Sequence, residues 1–373
     1  MTQEVESEML QLEEQRASLT EVDVRGPDGR PPGLDGSAPD GDEEVALESP
    51  EKTSYLKACE ALHVVPASHY LRHMKDAELN MMHRGLGPQG TRALAVPLAT
   101  NTSILRLNLR DNAMEGLGGA AIAKMLTENI YIAEVDVSNN NLGDHGASAF
   151  GGMLEETGYL KSLNLSENGF TNVAAKPLGQ ALVVNSELLH LDLSRNALGE
   201  RSGHILGYSL SENTRLRSLS LAWNSIRGRG AVMLANGLAA NMFLKSVDLS
   251  SNGFGKEAAA ALGQALKDNY VLEELNVSNN LIHTEGAIHF ATGLKVNRTI
   301  KSLNISRNPI QNAGCYGILK SIRDNPDSAI EDLDFSGIPV SQDFEDLHAR
   351  VKGIHSALTV HHGGRFGTLK AFP

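Results

Sequence analysis

Residues 188–215 read LLHLDLSRNALGERSGHILGYSLSENTR. Leu188, Leu191, Leu193, Asn196 and Leu198 fill the frame L-x-x-L-x-L-x-x-N-x-L. The same frame returns every 28 residues, placing asparagine at Asn112, Asn140, Asn168, Asn196, Asn224, Asn252, Asn280 and Asn308. A step that does not vary over eight copies means that one structural unit has been duplicated along the chain. Function must then be sought on the surfaces that a regular array exposes, which favours binding over chemistry.

The two halves of the quoted unit have different periods. The first alternates apolar and polar residues as a strand does, and the second carries large apolar residues on one helical face, as in Leu206 with Leu210. Six places after the ladder asparagine a small residue recurs (Gly90, Gly118, Gly146, Ala174, Ser202, Gly230, Ala258, Gly286, Gly314), as close helix packing requires. Seventeen places after it comes a second asparagine column, Asn101, Asn129, Asn185, Asn213, Asn241, Asn269, Asn297 and Asn325, interrupted only by Thr157. Asparagine tolerates the left-handed conformation that ends a helix, so this column is expected to cap each helix at its C-terminus. The unit is strand, turn, helix, turn.

Neighbouring parallel strands lie about 4.8 Å apart, whereas packed helices need about 8 to 10 Å. The sheet must therefore line the inside of an arc. The expected fold is an α/β horseshoe solenoid of about ten units, with a parallel β-sheet on the concave face and helices on the convex face. Its boundaries are read as an acidic, disordered leader over residues 1–50, a helical N-terminal cap over 51–75, the repeat array over 76–340 and a C-terminal cap over 341–373. Two short helices are expected in the N-terminal cap, from SYLKACEAL (54–62) and PASHYLRHM (66–74), the second with a proline in its first turn. The frame begins weakly at Leu79, Met81 and Leu86, with Arg84 in the asparagine slot. It ends with Ile330, Leu333, Phe335 and Val340, with Ile338 in that slot.

On these residues the chain resembles the ribonuclease-inhibitor type of leucine-rich repeat protein, over about residues 76 to 340. Its acidic leader and short closing segment make it most similar to the leucine-rich repeat-containing protein 74 family. That resemblance brings no assigned chemistry; members of the wider group usually bind proteins. Ran GTPase activators also resemble this repeat type, which makes action on a small GTPase the alternative, through Arg84, Arg106 or Arg110. Those activators carry a long acidic C-terminal tail, whereas this chain ends HHGGRFGTLKAFP. Ribonuclease inhibitors are rich in cysteine and in concave tryptophans, and this chain has two cysteines and one tryptophan.

Charge narrows the partners. The net charge is −12, but residues 1–50 hold 14 acids and 3 arginines, a net of −11, which leaves −1 for the rest. A neutral array offers no electrostatic footprint for nucleic acid. No run approaches the roughly 18 to 20 apolar residues that span a membrane, and the N-terminus lacks the basic and apolar stretches of a secretory signal. Cys59 and Cys315 form no disulfide framework, so a cytoplasmic, reducing setting is expected. The sequons at Asn164 and Asn304 fall inside the frame, which generates them for its own reasons.

Motifs of chemistry dissolve in the same way. Gly85-Leu-Gly-Pro-Gln-Gly90 fits a dinucleotide fingerprint in letters, but Leu86 is an apolar anchor of the frame and Gly90 opens the small-residue column. Glu257 after Gly255-Lys256 removes a phosphate loop, and adjacent His361 and His362 in a strand point to opposite faces. No catalytic residues, cofactor or metal are expected, and the ladder asparagines are read as structural.

Two columns face the hollow, Asn108, Asp136, Asn164, Asp192, Ser220, Asp248, Asn276, Asn304 and Arg110, Ser138, Ser166, Ser194, Ala222, Ser250, Ser278, Ser306. One step on, the column Asp111, Asn139, Glu167, Arg195, Trp223, Ser251, Asn279, Arg307 contains the chain's single tryptophan. Arg195 holds the equivalent place one strand away, within reach for stacking. With Arg227 in the next turn and His190 on the neighbouring strand, Trp223 and Arg195 define the expected protein-binding site, since tryptophan and arginine are common interface anchors. The reading is a non-enzymatic, monomeric scaffold or adaptor with a protein partner.

Overall fold

The computed structural model describes residues 49–366. The acidic leader read over residues 1–50 lies, but for Ser49 and Pro50, outside the described residues. Two helices come first, α1 (Pro50–Ala61) and α2 (Ser68–His73). The proline in a first turn is Pro50, behind the N-cap Ser49 whose Oγ accepts the Lys52 N–H. Pro66 instead precedes the second helix, whose N-cap is Ala67.

Strand and helix then alternate without exception: β1 (Glu78–Asn80), α3 (Gly87–Leu98), β2 (Arg106–Asn108), α4 (Glu115–Glu128), β3 (Glu134–Asp136), α5 (Gly143–Glu156), β4 (Ser162–Asn164), α6 (Ala175–Val184), β5 (His190–Asp192), α7 (Glu200–Glu212), β6 (Ser218–Ser220), α8 (Gly228–Ala240), β7 (Ser246–Asp248), α9 (Lys256–Asp268), β8 (Glu274–Asn276), α10 (Thr284–Leu294), β9 (Ser302–Asn304), α11 (Gln311–Arg323), β10 (Asp332–Phe335), α12 (Gln342–Ile354) and β11 (Thr359–His362). The strands form one parallel sheet in sequence order. The register advances by one unit per strand, so that His190 pairs with Ser162 and Ser218. This is the α/β solenoid expected from the frame. The eleventh strand falls in the segment read as a closing cap, because there the step shortens and only Val360 marks the register, opposite Leu333.

One continuous apolar core runs between the layers. Each strand contributes its central residue, such as Leu191, and the apolar residue two places on, such as Leu193; each helix contributes a pair such as Leu206 and Leu210. The small-residue column works by backbone approach. A Cβ on Gly230 would lie 2.0 Å from the Glu200 carbonyl oxygen, and one on Gly207 would lie 2.4 Å from that of Met233, so α7 and α8 meet almost backbone to backbone.

Each of the eight ladder asparagines donates to three carbonyls and accepts at least one backbone N–H of the preceding unit. Asn140 donates from Nδ2 to the carbonyls of Leu109, Val137 and Ser138 at 2.9–3.0 Å, and its Oδ1 accepts the Asn112 N–H at 2.9 Å. A buried turn otherwise leaves these groups unpaired, at about 1 to 3 kcal/mol each.

The second asparagine column is not a set of left-handed caps. Asn129, Asn185, Asn213, Asn241 and Asn269 have φ between −70° and −86° and extended backbone. They form a second ladder. Asn241 donates to the carbonyls of Leu210 and Asn213 at 2.7 and 3.0 Å and accepts the N–H groups of Phe243 and Leu244 at 2.8 and 2.7 Å. The amide is selected here because it both donates to the preceding unit and accepts from the turn ahead; a left-handed residue needs neither ability.

Candidate functional site

The three-residue strands end before the column that contains Trp223. At that column the backbone turns left-handed in every unit, with φ between 52° and 57° from His83 through Arg307, Arg195 at 55° and Trp223 at 53°. Each of these residues still donates its N–H to the next unit, as Arg195 does to Ala222 at 2.8 Å and Trp223 to Ser250 at 2.9 Å. The left-handed turn starts the chain's reversal toward the helices and throws the side chain outward. It costs a non-glycine residue about 1 to 2 kcal/mol, and the array accepts that cost in all nine units.

Trp223 is 54% exposed. The Arg195 guanidinium carbon stands 5.1 Å from its ring centroid, a cation–π stack worth about 0.5 to 1 kcal/mol at an exposed site. Arg195 Nε is 3.4 Å from Glu167 Oε1, and the other oxygen of Glu167 is 3.7 Å from Arg110 Nη2. Arg110, Glu167, Arg195 and Trp223 thus form a line along the rim. Individually these exposed pairs are weak; in series they bring Arg195 against the indole.

His190 and Arg227 stand apart from that stack. His190 is an exposed residue of β5, on the floor of the sheet, and Trp223 lies five residues past its partner Ser218, on the order of 15 Å along the strand direction. Arg227 is the N-cap of α8, exposed, with its backbone bridged to Gly253. Behind it Gly228 has φ 55°, and the Glu200 carboxylate accepts the Arg229 N–H at 3.0 Å.

The floor columns have a structural cause that the spacing alone did not show. Asp136, Asp192, Asp248 and Asp334 each accept, through Oδ1, the N–H two residues on at 2.7–2.8 Å, and the asparagines of that column do the same. This is the Asx turn that closes each strand. Ser220 breaks the run. The second column, expected to face the hollow, is instead largely buried, with Ser138, Ser166, Ser194, Ala222, Ser250 and Ser306 all below 10% exposure, because the chain is already turning toward the helices there.

A shallow concavity of about 290 Å³ opens over β1 to β4, lined by Glu78, Arg106, Glu134, Asp136 and Asn164 among others. Arg106 pairs with Glu78 at 3.2 Å, and Asp136 accepts from Asn164 at 3.3 Å. The three arginines suggested by the GTPase alternative are all engaged: Arg84 with His69 at 3.2 Å, Arg106 with Glu78 and Arg110 with Glu167. Cys59 and Cys315 are buried, and burial pushes their thiols up, Cys315 to about 12. Neither has the character of a nucleophile. Among the described residues no cluster of three or more His, Cys, Asp or Glu could hold a metal, and no helix is long and apolar enough to cross a membrane.

Comparison with known proteins agrees with this geometry. The Leucine Rich repeat family profile matches residues 100–123, 128–151, 159–179, 212–235, 240–263, 269–291 and 296–319. The chain is a leucine-rich repeat protein. More particularly, it is similar to leucine-rich repeat-containing protein 74B, at 57% identity over 54 residues with the Mus musculus protein and 54% over 54 residues with the Homo sapiens protein. Each match covers 14% of this chain and 14% of the relative. Solved structures that resemble it in part include an internalin from Listeria monocytogenes (13% identity, 88% of this chain and 100% of that one, TM-score 0.41) and the leucine-rich repeat domain of APL1B (17%, 83% and 73%, 0.39).

Proposed function

We propose that this array is a non-enzymatic scaffold that binds a protein partner at the concave rim centred on Trp223 and Arg195. One observation carries the reading: the chain's only tryptophan stands 54% exposed, stacked by Arg195 at 5.1 Å. An exposed, oriented aromatic with an arginine partner is the composition of an interface anchor. The repeat frame gives no reason for tryptophan there, since Ser251 and Asn279 fill the same slot in the next two units.

The test is proximity labelling in cells with the full chain and with a Trp223→Ala, Arg195→Ala variant of matched melting temperature. Loss of a defined subset of labelled proteins is expected. A variant that keeps every labelled partner overturns the site, and stimulation of GTP hydrolysis in a panel of small GTPases would overturn the non-enzymatic reading.

A further inference from the structure

The edge where strands run out and helices begin changes character around Trp223. Arg201, Arg227 and Arg229 are exposed there, and among the described residues none of them forms an ion pair. Two acids of this region are already engaged: Glu167 lies between Arg110 and Arg195, and Glu200 accepts the backbone N–H of Arg229.

Their placement opposes the fold's own electrostatics. Arg201 is the second residue of α7, Arg227 the N-cap of α8 and Arg229 the second residue of α8. Cations at a helix N-terminus face the positive end of its dipole. Helices α4, α5, α7, α9 and α10 each carry an acid in the first turn, whereas α3, α6, α8 and α11 carry none. In the slot of Arg227 neighbouring units have Gly199 and Gly255, and in that of Arg229 the following units have Glu257 and Glu285. The repeat does not ask for these arginines.

We propose that this edge binds a carboxylate-rich peptide segment of a partner protein. An apolar side chain of the segment rests on Trp223, and its Asp or Glu side chains reach Arg201, Arg227 and Arg229. This rests on the reading of Trp223 as the binding site and specifies the partner's chemistry. The dimensions suit a short peptide: Trp223 and Arg227 are four residues apart, at most about 14 Å between Cα atoms, and Arg201 and Arg229 hold equivalent places on adjacent helices, within about 10 Å.

Because Trp223 is the only tryptophan, its fluorescence reports this site alone. The full chain is titrated with a Glu-rich peptide containing one leucine and no aromatic residue, and in parallel with its Gln-for-Glu counterpart. The Glu peptide is expected to give a saturable change in emission that weakens with added salt, while the Gln peptide gives none. Changing Arg201→Gln, Arg227→Gln and Arg229→Gln together should weaken binding about tenfold, as three rim contacts of a fraction of a kcal/mol each imply. An equal response to the Gln peptide, or unchanged affinity in the triple variant, overturns the proposal. In the labelling experiment the two readings separate. If the Trp223→Ala, Arg195→Ala variant sheds partners that the triple arginine variant keeps, the site stands and its acidic ligand falls; if both variants keep every partner, both fall.

Discussion

Trp223 and Asn224 are neighbours in the chain and opposites in constraint. Asn224 is buried, with its amide donating to the carbonyls of Leu193, Leu221 and Ala222 and accepting the Leu198 N–H. Trp223 must supply a left-handed backbone and one N–H, and its side chain meets solvent. The array therefore repeats the residue at one position and only the backbone angle at the next. Where a fold demands an angle alone, the side chain is free to serve a partner, and the column of Asp111, Asn139, Glu167, Arg195 and Trp223 varies accordingly.

That contrast can be broken by substitution. Asn224→Ala should cost about 3 kcal/mol, because several buried backbone groups lose their only side-chain partner at about 1 to 3 kcal/mol each; a urea titration showing less than about 1 kcal/mol would mean that water replaces the amide. Gly207→Ala comes next, at about 1 to 3 kcal/mol, since the added methyl group would sit 2.4 Å from the Met233 carbonyl oxygen and force α7 away from α8. At Trp223 the sign turns. Trp223→Gly should leave the unfolding free energy unchanged or raise it by up to about 1 kcal/mol, as glycine relieves the positive φ, while binding is lost. A marked fall in stability would show that the indole is part of the core.

The smallest effect is a pH dependence in α12. His348 has its pKa lowered, first by burial and then by Lys352 and His362, and its Nε2 is buried without a hydrogen-bond partner among the described residues. A folded pKa below the unfolded one means that the contribution to stability is complete above about pH 6.5 and is lost as pH falls from there through the folded value. Melting temperatures at pH 7.5 and 5.5 should differ more in the wild type than in His348→Phe; equal differences would remove His348 from the account.

The fold was legible because almost every buried position dictates a residue type: leucine at the strand, asparagine at the turn, glycine or alanine at the helix contact. The second ladder was legible in position but not in mechanism, since asparagine suits a left-handed cap and an amide bridge equally and only the dihedral angles separate the two. The strand around His361 and His362 is not legible as an eleventh member of the sheet, because Val360 has no frame around it. At the candidate site, Trp223 and Arg195 stood out as departures from their column, and the coordinates add that the side chains touch. Whether an arginine is paired is not a property of spacing, so the sequence does not mark Arg201, and it places His190 beside Trp223 although the strand register separates them.

The paired asparagine ladders have a mechanical consequence. Each unit is fastened to its predecessor along two opposite edges, so bending or twisting one unit against the next would have to strain amide bonds at one edge or the other. Such an array deforms as a stiff beam, and a partner must conform to it. Its compliance is concentrated where the second row of fasteners lapses, at Thr157, whose hydroxyl is directed to the Met153 sulfur within its own helix and makes no amide bridge to the preceding unit. Any change in curvature on loading should therefore appear first where the α4–β3 turn meets the α5–β4 turn.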